Sequence, residues 1–286
     1  MHIVLDILFQ TVAIYVISDM KDNMRLMCIL AHPDDESLGV GGTLARYASE
    51  GVETSIVCAT RGERGRFGDV KDKPAPEIIG QVRELELRAA AKELGVKEVH
   101  FLDYLDADLD KADPKEAVSK IVGHIRRFKP QVAISFGPDG GYGHPDHVAI
   151  SQFATAAIVC AADANYESST AAHRVDKMYY LAWTFGKWQA YTEAFRDLKI
   201  TVDGTERRAI PWPDWEITTA IDTAAHWEAV WRAVQCHKTQ LTIYEKLQHL
   251  SPDNHKMLWG TQEYYRVFST VNGGRARESD LFEGIR

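Results

Sequence analysis

Leu26-Met27-Cys28-Ile29-Leu30-Ala31 is an unbroken apolar run that gives way at once to His32-Pro33-Asp34-Asp35-Glu36. A short run that is apolar at every position, and not only at alternate ones, reads as a strand buried on both faces, as in a parallel sheet. The polar residues after it then lie at the carboxyl end of that strand. Working outward, short apolar runs alternate with longer amphipathic ones. A helix is expected at Gly41–Ser49, closed by Gly51, and a second strand at Thr54–Ala59. Glu77–Leu94 repeats apolar residues at helical spacing (Ile78, Val82, Leu85, Ala89) and ends at Gly95, a favourable residue just past a helix. A third strand follows at Val99–Leu102. Asp113-Pro114 supplies an N-cap and a first-turn proline for a helix ending near Phe128, and Val132–Phe136 is the fourth strand. This βαβ rhythm implies an α/β fold, a parallel sheet with helices on both faces.

Past Ala161 the pattern is less regular. Met178–Trp183, Glu216–Ile221 and Glu263–Phe268 read as strands, and Thr223–Cys236 as a helix capped by Asp222. The stretch from Phe185 to Trp215 is rich in Trp and Pro without a clean period. It is expected to be irregular, serving either an interface between copies of the chain or a cover for the site. With 286 residues and 45% hydrophobic content the chain can bury a large core. Residues 24–286 are expected to form a single domain. Ile3–Ile17 is largely apolar but is interrupted by Asp6 and Gln10 and is too short to span a membrane. Residues 1–23 are expected to be an N-terminal extension, either an extra strand or helix or the product of an upstream start codon, with initiation at Met20 or Met24 the favoured reading. The net charge of −8, with scattered basic residues, argues against a nucleic-acid partner. Cys28, Cys58, Cys160 and Cys236 form no CxxC pair and read as reduced thiols, which points to a cytoplasmic setting.

The second polar cluster, Gly141-Tyr142-Gly143-His144-Pro145-Asp146-His147, ends the glycine-rich loop after the fourth strand. In open α/β sheets, ligands bind beyond the carboxyl ends of strands, so both clusters are delivered to the same edge. Pro145 suits the first turn of a helix, and His144 and His147 then share a face. His32, Asp35 and His147 make a His₂-carboxylate set with an open position, a common catalytic zinc arrangement; iron is the alternative. A metal there would lower the pKa of its water towards ~7. Asp34, adjacent to a ligand but not one itself, is the expected general base. Tyr142 and His144 would donate to a developing oxyanion, with Asp146 orienting His144. The glycines Gly39-Val40-Gly41-Gly42 do not make a dinucleotide fingerprint, because Leu44 stands where GxGxxG needs glycine. No HExxH or GxSxG occurs.

The stretch AHPDDESLGVGGTLA, with GHPDH downstream, resembles the LmbE-like/PIG-L N-acetylglucosaminyl deacetylases over Met24 to about Ala157. The resemblance implies a Rossmann-like fold with an irregular C-terminal α/β extension. It also implies a zinc-dependent deacetylase acting on a small N-acetylglucosamine-containing molecule, and the same roles for His32, Asp35, His147, Asp34 and His144. The alternatives are an amidase cleaving a larger N-acyl group, such as a thiol conjugate, and a non-catalytic sugar-binding module. The family has a substrate-contacting loop where this chain has Thr60–Gly65, so Arg64 and Arg66 are candidate substrate ligands. Gly62-Glu63-Arg64-Gly65 is less acidic than in the mycothiol-pathway members, which argues against their substrate. Asp103 is a candidate for a sugar hydroxyl. His237 in Cys236–Gln240 resembles a C-terminal feature of some relatives.

Overall fold

The computed structural model describes residues 24–194, 197–274 and 276–286; the expected extension 1–23 lies outside the described residues. β1 (Arg25–Leu30) is buried along nearly its whole length, and burying each such Leu or Ile is worth ~1.5–3 kcal/mol. It leads into α1 (Asp35–Ser49), then β2 (Glu53–Thr60), α2 (Pro76–Glu93), β3 (Glu98–Tyr104), α3 (Pro114–Phe128) and β4 (Val132–Phe136). α4 (Pro145–Ala162) and β5 (Lys177–Leu181) complete the regular alternation. The sheet order is β3-β2-β1-β4-β5, all parallel. The chain builds outward from β1 to β3 and then crosses back to place β4 on the other side of β1. The crevice between the ends of β1 and β4 is thus the topological switch point, where such sheets take ligands. Helices α3 and α4 pack together on one face and α1 and α2 on the other.

The C-terminal third adds two antiparallel strands to this sheet. β9 (Thr261–Ser269) pairs with β5, and β8 (Thr219–Asp222) with β9. The Trp-rich stretch is more regular than its composition suggests. It holds α5 (Phe185–Ala194) and a hairpin of β6 (Lys199–Val202) and β7 (Thr205–Arg208), turning at Asp203-Gly204 with positive φ at both residues. α6 (Trp227–Cys236) packs on α1 and α2, and α7 (Pro252–Trp259) precedes β9.

Three expectations need correction. α6 begins at Trp227, four residues later than expected, after a 3₁₀ turn at Ala224–His226. α1 begins six residues earlier than the expected Gly41, because its glycines are helical and serve close packing. A Cβ on Gly42 would lie 2.7 Å from Cβ of Thr223, and one on Gly41 3.3 Å from Val230. In α2 the inward face is not Ile78, Val82, Leu85 and Ala89. Leu85 is 68% exposed, and the buried face is Ile79, Arg83, Glu86, Leu87 and Ala90. Two charged residues sit on that face because each has a partner inside, Arg83 at the turn after β1 and Glu86 at Thr239. The Asp113 cap is as expected, with its side chain accepting from the Lys115 N–H at 2.8 Å.

Candidate active site

The turn between β1 and α1 is held by its own side chains. Asp35 folds back so that one carboxylate oxygen accepts from the N–H groups of His32 (2.8 Å) and Ala31 (3.2 Å). Its other oxygen faces Nε2 of His147 at 3.4 Å. After β4, glycines at 140, 141 and 143 all take positive φ, which brings His144 to the N-cap of α4 and His147 into its first turn. His147 donates from Nδ1 to the Gly140 carbonyl at 3.1 Å and stacks on Phe136 at 4.0 Å. His32 directs Nε2 at Asp146 (3.0 Å) and Asp106 (3.2 Å). With these bonds made, Nδ1 of His32 faces Nε2 of His147 at 3.1 Å.

Such an arrangement is repulsive unless a cation or a proton lies between the nitrogens, and Asp35 supplies the adjacent negative charge. Burial, opposed by His32, pushes the Asp35 pKa up to about 7. Burial and the charge of His32 push His147 well below the usual imidazole range. Burial also acts to lower His32, but Asp106 and Asp146 outweigh it and raise the ring well above that range. The donor set fits a divalent metal ion. His32, Asp106 and Asp146 also cluster. That cluster is already spent, since Asp146 accepts from the N–H groups of Ala107 (2.7 Å) and Leu109 (3.2 Å) as well as from His32. It is therefore a support that sets the tautomer of His32. His144 is expected to be oriented by Asp146, and here the structure differs. The Asp146 carboxylate serves His32, while His144 Nδ1 accepts the Asp146 backbone N–H at 3.2 Å. Burial and the His32 charge bring the His144 pKa down to about 4, so its ring is neutral and carries its proton on Nε2.

Asp34 has φ 107°, a left-handed value that an aspartate adopts only under constraint. Its N–H donates to Glu36 at 2.9 Å. Glu36 is buried and accepts from His237 Nε2 (2.6 Å) and Ser37 (2.5 Å). Burial works against the Glu36 charge, yet His237 and the hydrogen bonds hold its pKa below the ordinary value. The Asp34 carboxylate accepts from the Tyr244 hydroxyl (2.7 Å) and from Arg83 (3.2 Å) through a single oxygen, Oδ2. Arg83 also donates to the carbonyls of Pro33 (2.5 Å) and Gly62 (2.8 Å). A Cβ on Gly62 or Gly65 would overlap its guanidinium, so the loop after β2 is glycine-rich to admit Arg83.

A cavity of about 260 Å³ opens over these groups and is lined by His32, Asp34, Asp35, Tyr142, His144 and His147. The four expected substrate ligands do not line it. Arg64 is exposed and paired with Asp108, and Arg66 is exposed. Asp103 is exposed and accepts from Arg61 at 2.6 Å, and His237 is buried on Glu36. Arg83, Asp106 and Tyr244 line it instead. The available signal for Arg83 and its neighbours was the spacing Ile79-Arg83-Glu86-Leu87-Ala90, a buried helical face with two charges at its centre.

Sheet order, switch-point crevice and paired His/Asp clusters define a class of LmbE-like α/β proteins. Residues 27–158 match the family PIG-L: GlcNAc-PI de-N-acetylase, and the chain belongs to it. A 1D-myo-inositol 2-acetamido-2-deoxy-alpha-D-glucopyranoside deacetylase of Streptomyces griseus is 35% identical, over 91% of this chain and 89% of that protein. A Rhodococcus erythropolis protein of the same name is 33% identical, over 91% and 97%. Among solved structures, N,N'-diacetylchitobiose deacetylase from Pyrococcus horikoshii aligns with TM-score 0.64 at 20% identity, over 86% of this chain and 85% of that one. The 4-carboxy-2-hydroxymuconate hydratase GalB of Pseudomonas putida KT2440 aligns with TM-score 0.67 at 20% identity, over 88% and 100%. A hydratase and a deacetylase on one fold show that the scaffold alone does not set the chemistry.

Proposed function

We propose that this chain is a metal-dependent hydrolase that removes the N-acetyl group from a small N-acetylglucosamine-containing molecule, with residues 24–286 acting as one catalytic domain. The observation that carries the reading is the approach of His32 Nδ1 to His147 Nε2, 3.1 Å apart beside Asp35, where either a proton or a metal ion must lie between them. These three residues would hold the metal, with zinc favoured by two imidazoles and a carboxylate and iron compatible with the same donors. When bound, the metal supplies a Lewis acid for the amide carbonyl and acidifies water.

The remaining work falls to the chain's own groups. Asp34 takes the proton of the attacking water; both of its bonds fall on Oδ2, which leaves Oδ1 for that proton. His144, neutral with its proton on Nε2, donates to the carbonyl oxygen as negative charge grows there, and Tyr142 beside it can do the same. Asp146 and Asp106 hold Nε2 of His32 and so keep its Nδ1 aimed at His147 and Asp35. The four free cysteines support a reducing, cytoplasmic setting. No helix among the described residues is long and apolar enough to cross a membrane.

The test is acetate release from N-acetylglucosamine glycosides, with and without chelator, for the native chain and Asp34→Asn. Chelation is expected to abolish release and divalent metal to restore it. Asp34→Asn is expected to lose ~10²–10⁴ in kcat with unchanged metal content. Chelator-resistant release, or full activity in the variant, would refute the reading.

A further inference from the structure

The cavity is not polar throughout. Besides the His/Asp cluster, its wall includes Trp183, Trp188, Tyr191, Leu198, Ile210 and Trp212, drawn from the exit of β5, from α5, from the approach to β6 and from the strap after β7. This wall is fastened together before any ligand arrives. The Trp212 N–H donates to the Trp183 carbonyl at 2.8 Å, and the Trp183 and Tyr191 rings lie 4.9 Å apart. Ile210 stands at the wall with 74% of its surface exposed. Most of the nearby polar groups are engaged. Gln240 donates to the Arg66 carbonyl (2.7 Å) and to Thr239 (3.0 Å), and both terminal nitrogens of Arg83 donate to the turn at Asp34 and to Gly62. Asp139 keeps one buried carboxylate oxygen without a partner among the described residues. Among the described residues, Arg83 is the one Lys or Arg lining the cavity.

A cyclitol seated on this wall would shed water from its hydroxyls and gain few partners besides Asp139, and a phosphate would meet a guanidinium whose terminal nitrogens already donate to the protein. We propose that the substrate carries an apolar alkyl or aryl group beside the amide that is cleaved, bound against this wall. The proposal rests on the hydrolase reading of the polar end and specifies what lies next to it. The group can be the aglycone of the amino sugar or a longer acyl chain on its nitrogen; both present the same surface.

The experiment reads binding by calorimetry and hydrolysis by amine release, separately. The glycosidic arm compares methyl, hexyl, phenyl and inositol glycosides of N-acetylglucosamine. The acyl arm compares N-acetyl with N-hexanoyl glucosamine. Each methylene buried raises affinity by about fourfold, so one arm is expected to gain about fivefold or more over its short member, and that arm identifies the source. Trp188→Ala and, at an exposed position that folding tolerates, Ile210→Ser are expected to collapse that ratio towards one, while Trp188→Phe retains it. Gains below about fivefold in both arms, or an inositol glycoside preferred over the hexyl one, overturn the proposal. Acetate release from the methyl glycoside with flat ratios removes the apolar group alone. Tighter hexyl binding without cleavage of any amide refutes the deacetylase reading and leaves the apolar subsite standing.

Discussion

At Arg83 a single buried guanidinium reaches Pro33, Asp34 and Gly62 at once, tying the loop after β2 to the turn that carries the proposed base. Planarity makes that span possible, and a lysine ammonium cannot reproduce it. Arg83→Lys is therefore expected to lower kcat by about 10–100-fold while metal content holds. Gly62→Ala should give a similar loss by a different route, because the new methyl displaces the guanidinium and meets an unfavourable φ of +66°. Steady-state kinetics on the two single variants and the double variant check this. Losses that add fully would show the two positions to be independent. Neither residue touches the expected metal ligands, so metal content distinguishes a misplaced base from a lost metal.

At the scale of elements, α1 and α2 show what can be read from a chain and what cannot. β1, β2, β4 and the capped α3 were legible because their signals are local: continuous apolar runs, and an aspartate before a proline. The two motifs were legible for the same reason, each following a strand. The inner face of α2 was misread because apolarity was used as the marker of burial, and here a salt-bridged arginine and a glutamate are buried while Leu85 is not. The start of α1 was missed because three glycines weaken a helical pattern, and the packing that accounts for two of them, Gly41 and Gly42, lies at Val230 and Thr223, nearly two hundred residues away. Arg64 and Arg66 were chosen by position in a loop, whereas that loop turns its glycines, and not its arginines, towards the site. Two substitutions test these faces. Gly42→Ala is expected to cost ~1–3 kcal/mol from overpacking against Thr223. Leu85→Lys is expected to stay within ~0.5 kcal/mol. Urea denaturation measures both, and reversed magnitudes would contradict the packing described.

At the scale of the whole molecule, the last residues are bound into the sheet by charge. Glu278 is buried and accepts from Lys177 (2.7 Å), Tyr179 (2.8 Å), Arg266 (2.7 Å) and Thr219 (2.8 Å), joining the C-terminal segment to β5, β8 and β9. Removing one partner of a buried pair leaves the other uncompensated, so Glu278→Ala is expected to cost ~3–5 kcal/mol. Burial alone would raise the Glu278 pKa, but Lys177 and the other donors bring it down from 4.5 to about 2. A carboxylate lowered on folding stabilises fully above its unfolded pKa, and that stability is lost as pH falls through the folded value. The contribution is thus complete above pH 4.5 and fades towards pH 2. Denaturation midpoints measured from pH 6 down to pH 2 should fall more steeply for the native chain than for Glu278→Gln; equal slopes would exclude this group as the cause.

The bond between Glu36 and His237 spans 201 positions of sequence. Glu36 holds the N–H of Asp34, and Tyr244, from the same late stretch as His237, holds its carboxylate. A ribosome that has released residues 27–158 has already made every group assigned to the metal and to the proton. It has not yet made His237 and Tyr244, which complete the hold on Asp34 that Arg83 and Glu36 begin. The site therefore comes into being at a moment in synthesis well after its parts exist, and a half-made chain carries the reagents without the reaction.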